Sequence, residues 1–223
     1  MFIDALVRRI GHSRCVDGTS RAGWRCDGAA PMSASAGACA RRNDECLGLR
    51  NFNWALQTPR LTVRPMRVAD ADAYHRVRGL MPFDPQHRSL DESRALVAAM
   101  VTRNATDAEG WGQFAIIDRS DGSFVGDLGV NFDTPRARQA ELGFAIDPAR
   151  RRQGLALEAT GAMVDALFAS GRTRVTALTD IRNIAAQRLL ARLRFRIEAH
   201  FVSSWQDGDQ WHDELAYARL ASE

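Results

Sequence analysis

Lysine is absent from this chain of 223 residues, whose 30 basic residues are all arginine. Together with abundant alanine, this bias is typical of GC-rich coding and carries no functional meaning by itself. The remaining charge is uneven: residues 1–56 hold eight arginines against five acids, whereas residues 57–223 hold 22 of each. Because a nucleic-acid surface needs clustered positive charge, this balance argues against nucleic acid as a partner.

Cysteine is missing after Cys46, and the four cysteines present include no Cys-x-x-Cys pair. We therefore expect neither a zinc site nor a disulfide framework. The five histidines also stand apart from any cysteine or carboxylate cluster. The sequence thus argues against metal catalysis and a covalent catalytic triad, and we predict no metal ligand.

Long apolar runs are missing as well: no stretch of 18 apolar residues occurs, so no membrane-spanning helix is predicted. Asp4 and two early arginines interrupt the first apolar residues, so we predict no secretory signal and expect a cytoplasmic protein. Residues 11–50 are rich in Gly, Ala, Ser and Arg and lack sustained periodicity. We interpret residues 1–55 as a flexible extension, which a translation start assigned too far upstream would explain, and residues 56–223 as the folded domain.

The common nucleotide-binding glycine motifs, Gly-x-Gly-x-x-Gly and Gly-x-x-x-x-Gly-Lys-Ser/Thr, do not occur. Residues 141–170 instead read as a strand, an arginine-rich turn and a long helix. Leu142, Phe144 and Ile146 alternate with other residues, as in a strand with one buried face. The helix carries an apolar stripe on one side, and Gly171 stands where a left-handed C-terminal cap is expected.

The turn between this strand and helix, Arg151–Ala156, has the spacing Arg-x-x-Gly-x-Ala. Gly154 and Ala156 lack bulk, so a ligand can approach the backbone N–H groups closely. These groups are unpaired at a helix start and lie at its positive end, which favours a phosphate or pyrophosphate. Arginines at positions 150–152 add charge-assisted contacts. A solvated turn before an ordinary helix is the alternative that this pattern leaves open.

The contiguous sequence from Glu141 to Ala159 resembles the coenzyme A-binding motif of the GNAT superfamily of N-acetyltransferases. The domain also begins like members of the RimJ/RimL-like branch, with Thr-x-Arg-Leu-x-Val-Arg, and the resemblance spans about residues 56–220. It implies that acetyl-CoA is the co-substrate, that its pantetheine arm binds the strand backbone, and that its pyrophosphate binds the turn. The implied cofactor-binding residues of this segment are Phe144, Ala145, Ile146, Arg151, Arg152, Gln153, Gly154, Leu155 and Ala156.

A second segment, beginning at Asn183, resembles the family motif Asn-x-x-Ser-Gln-Arg-Val-Leu-x-x-Leu-Gly-Phe. The resemblance implies that Asn183 and Arg188 bind the cofactor, although a helix N-cap also explains Asn183. Ala186 replaces the motif's serine, and Leu190 occupies the place of the tyrosine that related enzymes use as an acid, so no general acid is visible. Arg194 replaces a glycine, and keeping its left-handed conformation would cost roughly 1 kcal/mol. We therefore expect a remodelled helix end.

The loop Met81–Ser89 and the two helices around it border the acceptor site in the family. Phe83 and His87 are therefore candidate substrate contacts, with ordinary loop packing as the alternative. Asp127 lies in a strand weakened by glycines, and we interpret it as a solvated strand residue or, alternatively, as a neighbour of the acceptor amine.

The last strand, Trp211–Leu220, resembles the closing strand of RimJ/RimL-like enzymes. On that resemblance, Asp213 lies near the acceptor end and is a candidate substrate contact. Tyr217 is predicted to be a packing residue with a hydrogen-bonded hydroxyl group.

The predicted element order is β-α-α-β-β-β-α-β-α-β-β, which suits a mixed α/β (α+β) fold. By resemblance to the family we expect a twisted, mostly antiparallel sheet of about seven strands, flanked by about four helices and splayed open near its middle.

The resemblance implies transfer of an acetyl group from acetyl-CoA to a primary amine by direct attack in a ternary complex. The amine must lose a proton first, and Glu141 is the candidate general base because it lies on the bare face of the cofactor strand; a carboxylate paired with an arginine is the alternative. A non-catalytic acyl-CoA-binding module and a protein-association domain also stay open. The acceptor is a protein N-terminus or a small molecule, a homodimer is compatible with the sequence, and no membrane partner is expected.

Overall fold

The computed structural model describes residues 55–83, 88–105, 110–132 and 138–223. The strands are β1 Leu56–Gln57, β2 Leu61–Pro65, β3 Trp111–Asp118, β4 Phe124–Asn131, β5 Gln139–Ile146, β6 Arg174–Asp180, β7 Arg196–Asp207 and β8 Gln210–Leu220. The α-helices are α1 Ala71–Arg78, α2 Leu90–Ala105, α3 Leu155–Ala169 and α4 Ile184–Arg192. Short 3-10 turns, Val68–Asp70 and Pro148–Arg150, precede α1 and α3.

These strands form one sheet in the order β1-β2-β3-β4-β5-β6-β8-β7. Neighbouring strands are antiparallel except β5 and β6, which are parallel. The predicted mixed α/β fold is confirmed. The strand beyond the expected seven is β1, whose two residues pair with Val63 and Thr62 of β2. Two residues are too few to show an alternation in the sequence.

Helices cover both faces of the sheet. One face, here called the α3 face, carries Val130, Leu142 and Val175, which belong with α3 and α4 to the larger core cluster. The opposite face, the α1 face, carries Ala115, which packs with α1 and α2 in a smaller cluster. Because successive strand residues alternate between the two faces, the pairing register assigns the other strand residues to one face or the other.

Helix α3 connects the parts of the fold, since it packs against β2, β5, β6 and α4. Its buried stripe, which matches the sequence prediction, includes Leu155, Ala159, Met163, Val164 and Leu167. Gly171 follows the helix with a φ of 90°. Its N–H donates to the Phe168 carbonyl at 2.9 Å, and the N–H of Arg172 donates to the Leu167 carbonyl at 3.1 Å. The predicted left-handed cap is therefore confirmed.

The hairpin between β3 and β4 follows the glycines of the sequence. Gly122 in its turn has a φ of 72°. The register shifts between Ile116 and Ile117, which gives a bulge next to Gly126. A Cβ on Gly126 would lie 2.2 Å from the carbonyl oxygen of Ala145. Glycine is thus required there because the β4 and β5 backbones approach closely.

Asp70 pairs with Arg64 at 2.7 Å and accepts the Arg67 N–H at 2.7 Å, so its side chain does not cap α1. The prediction of a remodelled helix end after α4 was wrong. The end of α4 is not remodelled, because Arg194 has a φ of 63°. The N–H of Phe195 still donates to the Leu190 carbonyl at 2.9 Å. Arginine thus adopts the left-handed conformation of the family's glycine, at a cost of about 1 kcal/mol.

Within the described ranges, no helix combines the length and the apolarity needed to cross a bilayer. The predicted flexible extension lies outside the described residues apart from residue 55, and so does His87.

Candidate functional site

The parallel strands β5 and β6 separate soon after they begin. They pair at three positions, which are Gln139–Arg174, Ala140–Val175 and Glu141–Thr176. Beyond these, β5 stays paired with β4 as far as Ile146, and β6 stays paired with β8 as far as Asp180. In the described chain, no strand fills the gap between the two edges, so a cleft opens after Glu141. Such an edge can accept an extended ligand as an added strand.

Glu141 stands where the cleft begins, on the α1 face and opposite Asn131 of β4. Its side chain is half-buried. The next pair on this face is Gly143 with Gly129, which offers no side chain. A Cβ on Gly129 would lie 3.0 Å from the ring of Trp111, so the indole packs closely over this glycine. The Glu141 carboxylate therefore lies next to a pair of glycines that Trp111 and Gln113 cover on the β4 side.

The turn after β5 exposes a row of backbone donors. Arg152 and Gly154 have left-handed conformations, with φ of 63° and 80°. Within the described part of the chain, the N–H groups of residues 152–157 donate to no acceptor, and the bond that opens α3 runs from the Glu158 N–H to the Gly154 carbonyl at 3.1 Å. The Arg152 side chain is exposed. These donors at the positive end of α3 fit the pyrophosphate of the predicted cofactor.

The start of α3 is fixed by Glu158, which the sequence analysis missed. Its carboxylate accepts hydrogen bonds from the Thr58 hydroxyl at 2.6 Å and from Arg60 Nε at 2.7 Å. Arg60 also donates to the Gln153 carbonyl at 2.8 Å. Burial alone would raise the pKa of Glu158, but these bonds outweigh it and lower the pKa. In the sequence, Glu158 is recognisable only as an acidic residue in the first turn of a helix. Its partner Arg60 lies 98 residues away, so the pairing cannot be predicted from the sequence.

Arg150 does not belong to the row of ligand-facing groups. It pairs with Asp118 and donates to the Ser123 hydroxyl at 3.2 Å, both in the β3–β4 hairpin. Hydrogen bonds from Ser120, and then the charge of Arg150, lower the pKa of Asp118. A cavity of about 430 Å³ lies between this hairpin and the start of α3, where Gln153 and Leu155 line it. The sequence prediction that Arg150 contacts phosphate is therefore wrong for this conformation.

The loop after α1 spans the open end of the cleft. Arg151 donates to the Ile146 carbonyl from Nε, and its guanidinium contacts Sδ of Met81, both at 3.4 Å. Phe83 of the same loop lies under the guanidinium of Arg182, 5.5 Å from the ring centroid. Arg182 belongs to the connection between β6 and α4. Met81 thus lies near the end of β5 and Phe83 near the end of β6, at the cleft mouth.

The start of α4 borders the other side of the cleft. The side-chain oxygen of Asn183 accepts the Ala186 N–H at 3.2 Å, so it serves as the N-cap. This leaves its amide N–H groups for a ligand. Arg188 is exposed. Ala186 and Leu190 are buried and carry no hydroxyl, so α4 supplies no acid at the positions where the family motif has one.

Asp127 is neither solvated nor open to the cleft, because none of its surface is exposed. Arg78 donates to its two oxygens at 3.1 and 2.5 Å, and Gln113 Nε2 donates to Oδ1 at 2.6 Å. The interpretation as a solvated strand residue is therefore wrong. The burial also argues against contact with an acceptor amine, so we assign Asp127 a structural role instead.

Asp213 lies beyond the end of β6, at the bulged part of the β7–β8 pair. It accepts the Ser203 N–H at 2.9 Å and contacts His200 Nε2 at 2.7 Å, and these interactions lower its pKa. The register places it beyond the Asp180–Glu214 pair, whereas Glu141 pairs with residue 176, so the structure does not bring the two carboxylates together. No group of three His, Cys, Asp or Glu side chains within the described ranges could hold a metal.

The family follows from the comparison with known domains. Residues 60–196, more than half of the chain, match the model of the acetyltransferase (GNAT) domain. The chain therefore belongs to the GNAT acetyltransferase family, as the motifs predict, and acetyl-CoA is its co-substrate. No curated protein sequence matches the chain.

Solved structures agree with the family. RimJ of Mycobacterium smegmatis, in complex with CoA-disulfide, is 25% identical with a TM-score of 0.63, over 73% of this chain and 82% of that one. RimL, a ribosomal L7/L12 α-N-protein acetyltransferase in complex with coenzyme A, is 18% identical with a TM-score of 0.66, over 75% and 98%. A chimera of the spermidine N-acetyltransferase SpeG from Vibrio cholerae with hSSAT is 19% identical with a TM-score of 0.63, over 73% and 96%. The resemblance to the RimJ/RimL-like branch is thus confirmed.

Proposed function

We propose that this chain transfers an acetyl group from acetyl-CoA to a primary amine, by direct attack within a ternary complex and with Glu141 as the general base. The observation that carries the proposal is the end of the β5–β6 pairing at Glu141. It joins an unpaired strand edge, a row of free N–H groups and a carboxylate at one cleft.

Acetyl-CoA, the acetyl donor, binds at the free edge of β5 and at the turn that follows it. The pantetheine arm binds along Phe144–Ile146 as an added strand, and the pyrophosphate binds the backbone of Arg151–Ala156. Asn183 and Arg188 at the start of α4 bind the same molecule from the β6 side. Arg151 exchanges its contact with Met81 for the phosphate, because a guanidinium binds an anion far better than a thioether.

The acceptor amine approaches the thioester from the α1 face of the sheet. An ammonium group has no lone pair, so attack on the thioester requires a base. Glu141 is suited to this role because it is a half-buried carboxylate at the last β5–β6 pair, where the cleft begins. Backbone N–H groups of the separated part of β5 can donate to the thioester oxygen as charge develops.

The acceptor itself is a protein N-terminal amine or a small-molecule amine, as the names of the RimL and SpeG relatives suggest. Phe83 is our candidate acceptor contact because its loop spans the cleft mouth. We further propose a cytoplasmic protein that forms a homodimer through β7, a 12-residue edge strand with Ile197, Phe201 and Val202 exposed. Sedimentation equilibrium tests the dimer.

The donor site is tested by isothermal titration of the full chain with acetyl-CoA and with CoA. Gly154→Ala should weaken binding about tenfold, because a side chain at a φ of 80° costs about 1–2 kcal/mol and displaces the N–H row. Gly122→Ala is the matched control, since its φ is 72° but it lies in the β3–β4 hairpin. No binding by folded wild-type protein would leave only the protein-association hypothesis.

The base is tested by Glu141→Gln in an assay with a panel of peptide and polyamine acceptors. Turnover should fall about 10²-fold at neutral pH, with acetyl-CoA affinity nearly unchanged. Unchanged turnover would move the base elsewhere, with Asp213 next in line. Donor binding without turnover on any amine would favour the non-catalytic acyl-CoA-binding module.

A further inference from the structure

Tyr217 on strand β8 carries a buried phenol group. The side chain is 4% exposed, and its burial raises the pKa of the hydroxyl. Contrary to the sequence prediction, the hydroxyl forms no hydrogen bond within the described part of the chain, yet its oxygen is not among the atoms sealed from solvent. A phenol in this situation stays protonated, and its oxygen keeps a small accessible surface.

The register places Tyr217 level with the opening of the cleft. It pairs with Ala177, the residue that follows the last β5–β6 pair. Leu142 follows Glu141 at the same level on β5, and all three lie on the α3 face in one core cluster. Leu142, Ala177 and Tyr217 thus form a row across β5, β6 and β8 at the point where the strands part.

The residue that stands between Tyr217 and the cleft in this row is small. Neighbouring strands lie about 4.8 Å apart, so only β6 separates β8 from the cleft. At this level β6 contributes Ala177, whose side chain ends at Cβ. Leu190 of α4 belongs to the same cluster and has no polar side-chain atom. Tyr217 therefore offers a proton donor on the side of the cleft where α4 has none.

We propose that Tyr217 is the general acid that protonates the leaving thiolate of CoA. This inference rests on the proposed acetyl transfer. The amine nitrogen forms a bond with the thioester carbon, and the carbon–sulfur bond breaks with its electron pair on sulfur. The Tyr217 O–H gives its proton to that sulfur, and the phenolate then regains a proton from water. Glu141 meanwhile accepts the proton that the nitrogen loses.

The first test uses the thiol itself and needs no acceptor. A phenol that donates to bound CoA stabilises its thiolate, so Tyr217→Phe should raise the pKa of the bound thiol. The ultraviolet absorbance of the thiolate, titrated in saturated full-length wild type and variant, measures this shift. Tyr74→Phe is the matched control, because Tyr74 is the other tyrosine, equally buried but on α1. Equal thiol pKa values in wild type and Tyr217→Phe would overturn the proposal.

The second test is kinetic. Tyr217→Phe should lower kcat about 10²-fold, the lower end for a general acid, with an unchanged acetyl-CoA Kd. A residue that only packs would instead lower stability and leave kcat of the folded protein intact, which would also overturn the proposal. Adding Ala186→Ser to Tyr217→Phe restores a hydroxyl on α4 and should recover part of the rate. Absence of turnover in the wild type would count against acetyl transfer alone, because the thiol titration judges Tyr217 separately.

Discussion

Asp127→Asn is predicted to destabilise the fold strongly while leaving the donor site intact. The substitution keeps the size of the side chain but removes its charge. In the wild type, Asp127 has no exposed surface, and Arg78, whose side chain is 13% exposed, pairs with it at 2.5 Å. After the change, the Arg78 guanidinium stays enclosed but loses the charge of Asp127.

The expected cost follows from the burial of the pair. Removing one partner of a buried ion pair costs about 3–5 kcal/mol, because the other charge stays desolvated. For a domain of this size, each kcal/mol corresponds to about 2–4 °C in Tm, so Tm should fall by roughly 6–20 °C. Gln113, which also donates to Asp127, can keep its bond to the asparagine oxygen. This favours the lower half of that range.

Urea unfolding followed by circular dichroism measures the loss, and acetyl-CoA titration below the transition checks the site. Asp72→Asn is the matched control: Asp72 also pairs with an arginine across α1 and α2, but both partners are largely exposed. It should leave the urea midpoint nearly unchanged. If Asp127→Asn behaved like Asp72→Asn, or removed activity without loss of stability, a structural role for Asp127 would be refuted.

Two further substitutions test stability at other places. Burial, together with nearby Asp180, raises the pKa of Glu214 above its ordinary 4.5. Between these two pKa values the unfolded chain is ionised while the fold holds the proton, so stability falls as the pH rises through this window. Glu214→Gln should therefore raise Tm at pH 8 and change it little near pH 4; a gain equal at both pH values would contradict the linkage. Arg194→Gly relieves the left-handed strain of about 1 kcal/mol and should add about 0.5 kcal/mol after the entropy that glycine gives the unfolded chain. Calorimetry should show a Tm about 2 °C higher, and a lower Tm would mean that the arginine side chain contributes more than its backbone costs.

Much of the fold could be predicted because its signals are local. Strand alternation in residues 141–146 and the apolar stripe of α3 each depend on neighbours in the sequence, and the structure has a strand and a helix at these places. The free N–H groups at the start of α3 were predictable for the same reason. A free N–H row at a helix start needs only the local order of glycine and helix formers.

Pairings over long distances could not be predicted. No residue near Asp127 in the sequence indicates its pairing with Arg78, which lies 49 residues earlier. Asp127 was therefore interpreted as a solvated strand residue, although it belongs to a buried ion pair. Arg150 looked equal to its neighbours, yet Asp118 in another strand holds it away from the turn. The Tyr217 hydroxyl looked like an ordinary packing group, because the level of the cleft on β8 depends on the register of three strands.

The short β5–β6 junction also has a mechanical consequence. Strand pairing runs without interruption within two halves of the sheet, from β1 to β5 and from β6 to β7, but within the described residues only three residue pairs connect β5 with β6. Helix α3, which packs on both halves, is then the main tie between them. A donor molecule bound in the cleft would contact both halves. It would raise the free energy of unfolding by RT ln(1 + [L]/Kd), which is about 2.7 kcal/mol at a hundredfold excess over Kd. The two halves should consequently unfold as one unit when the donor is bound and more independently when it is not.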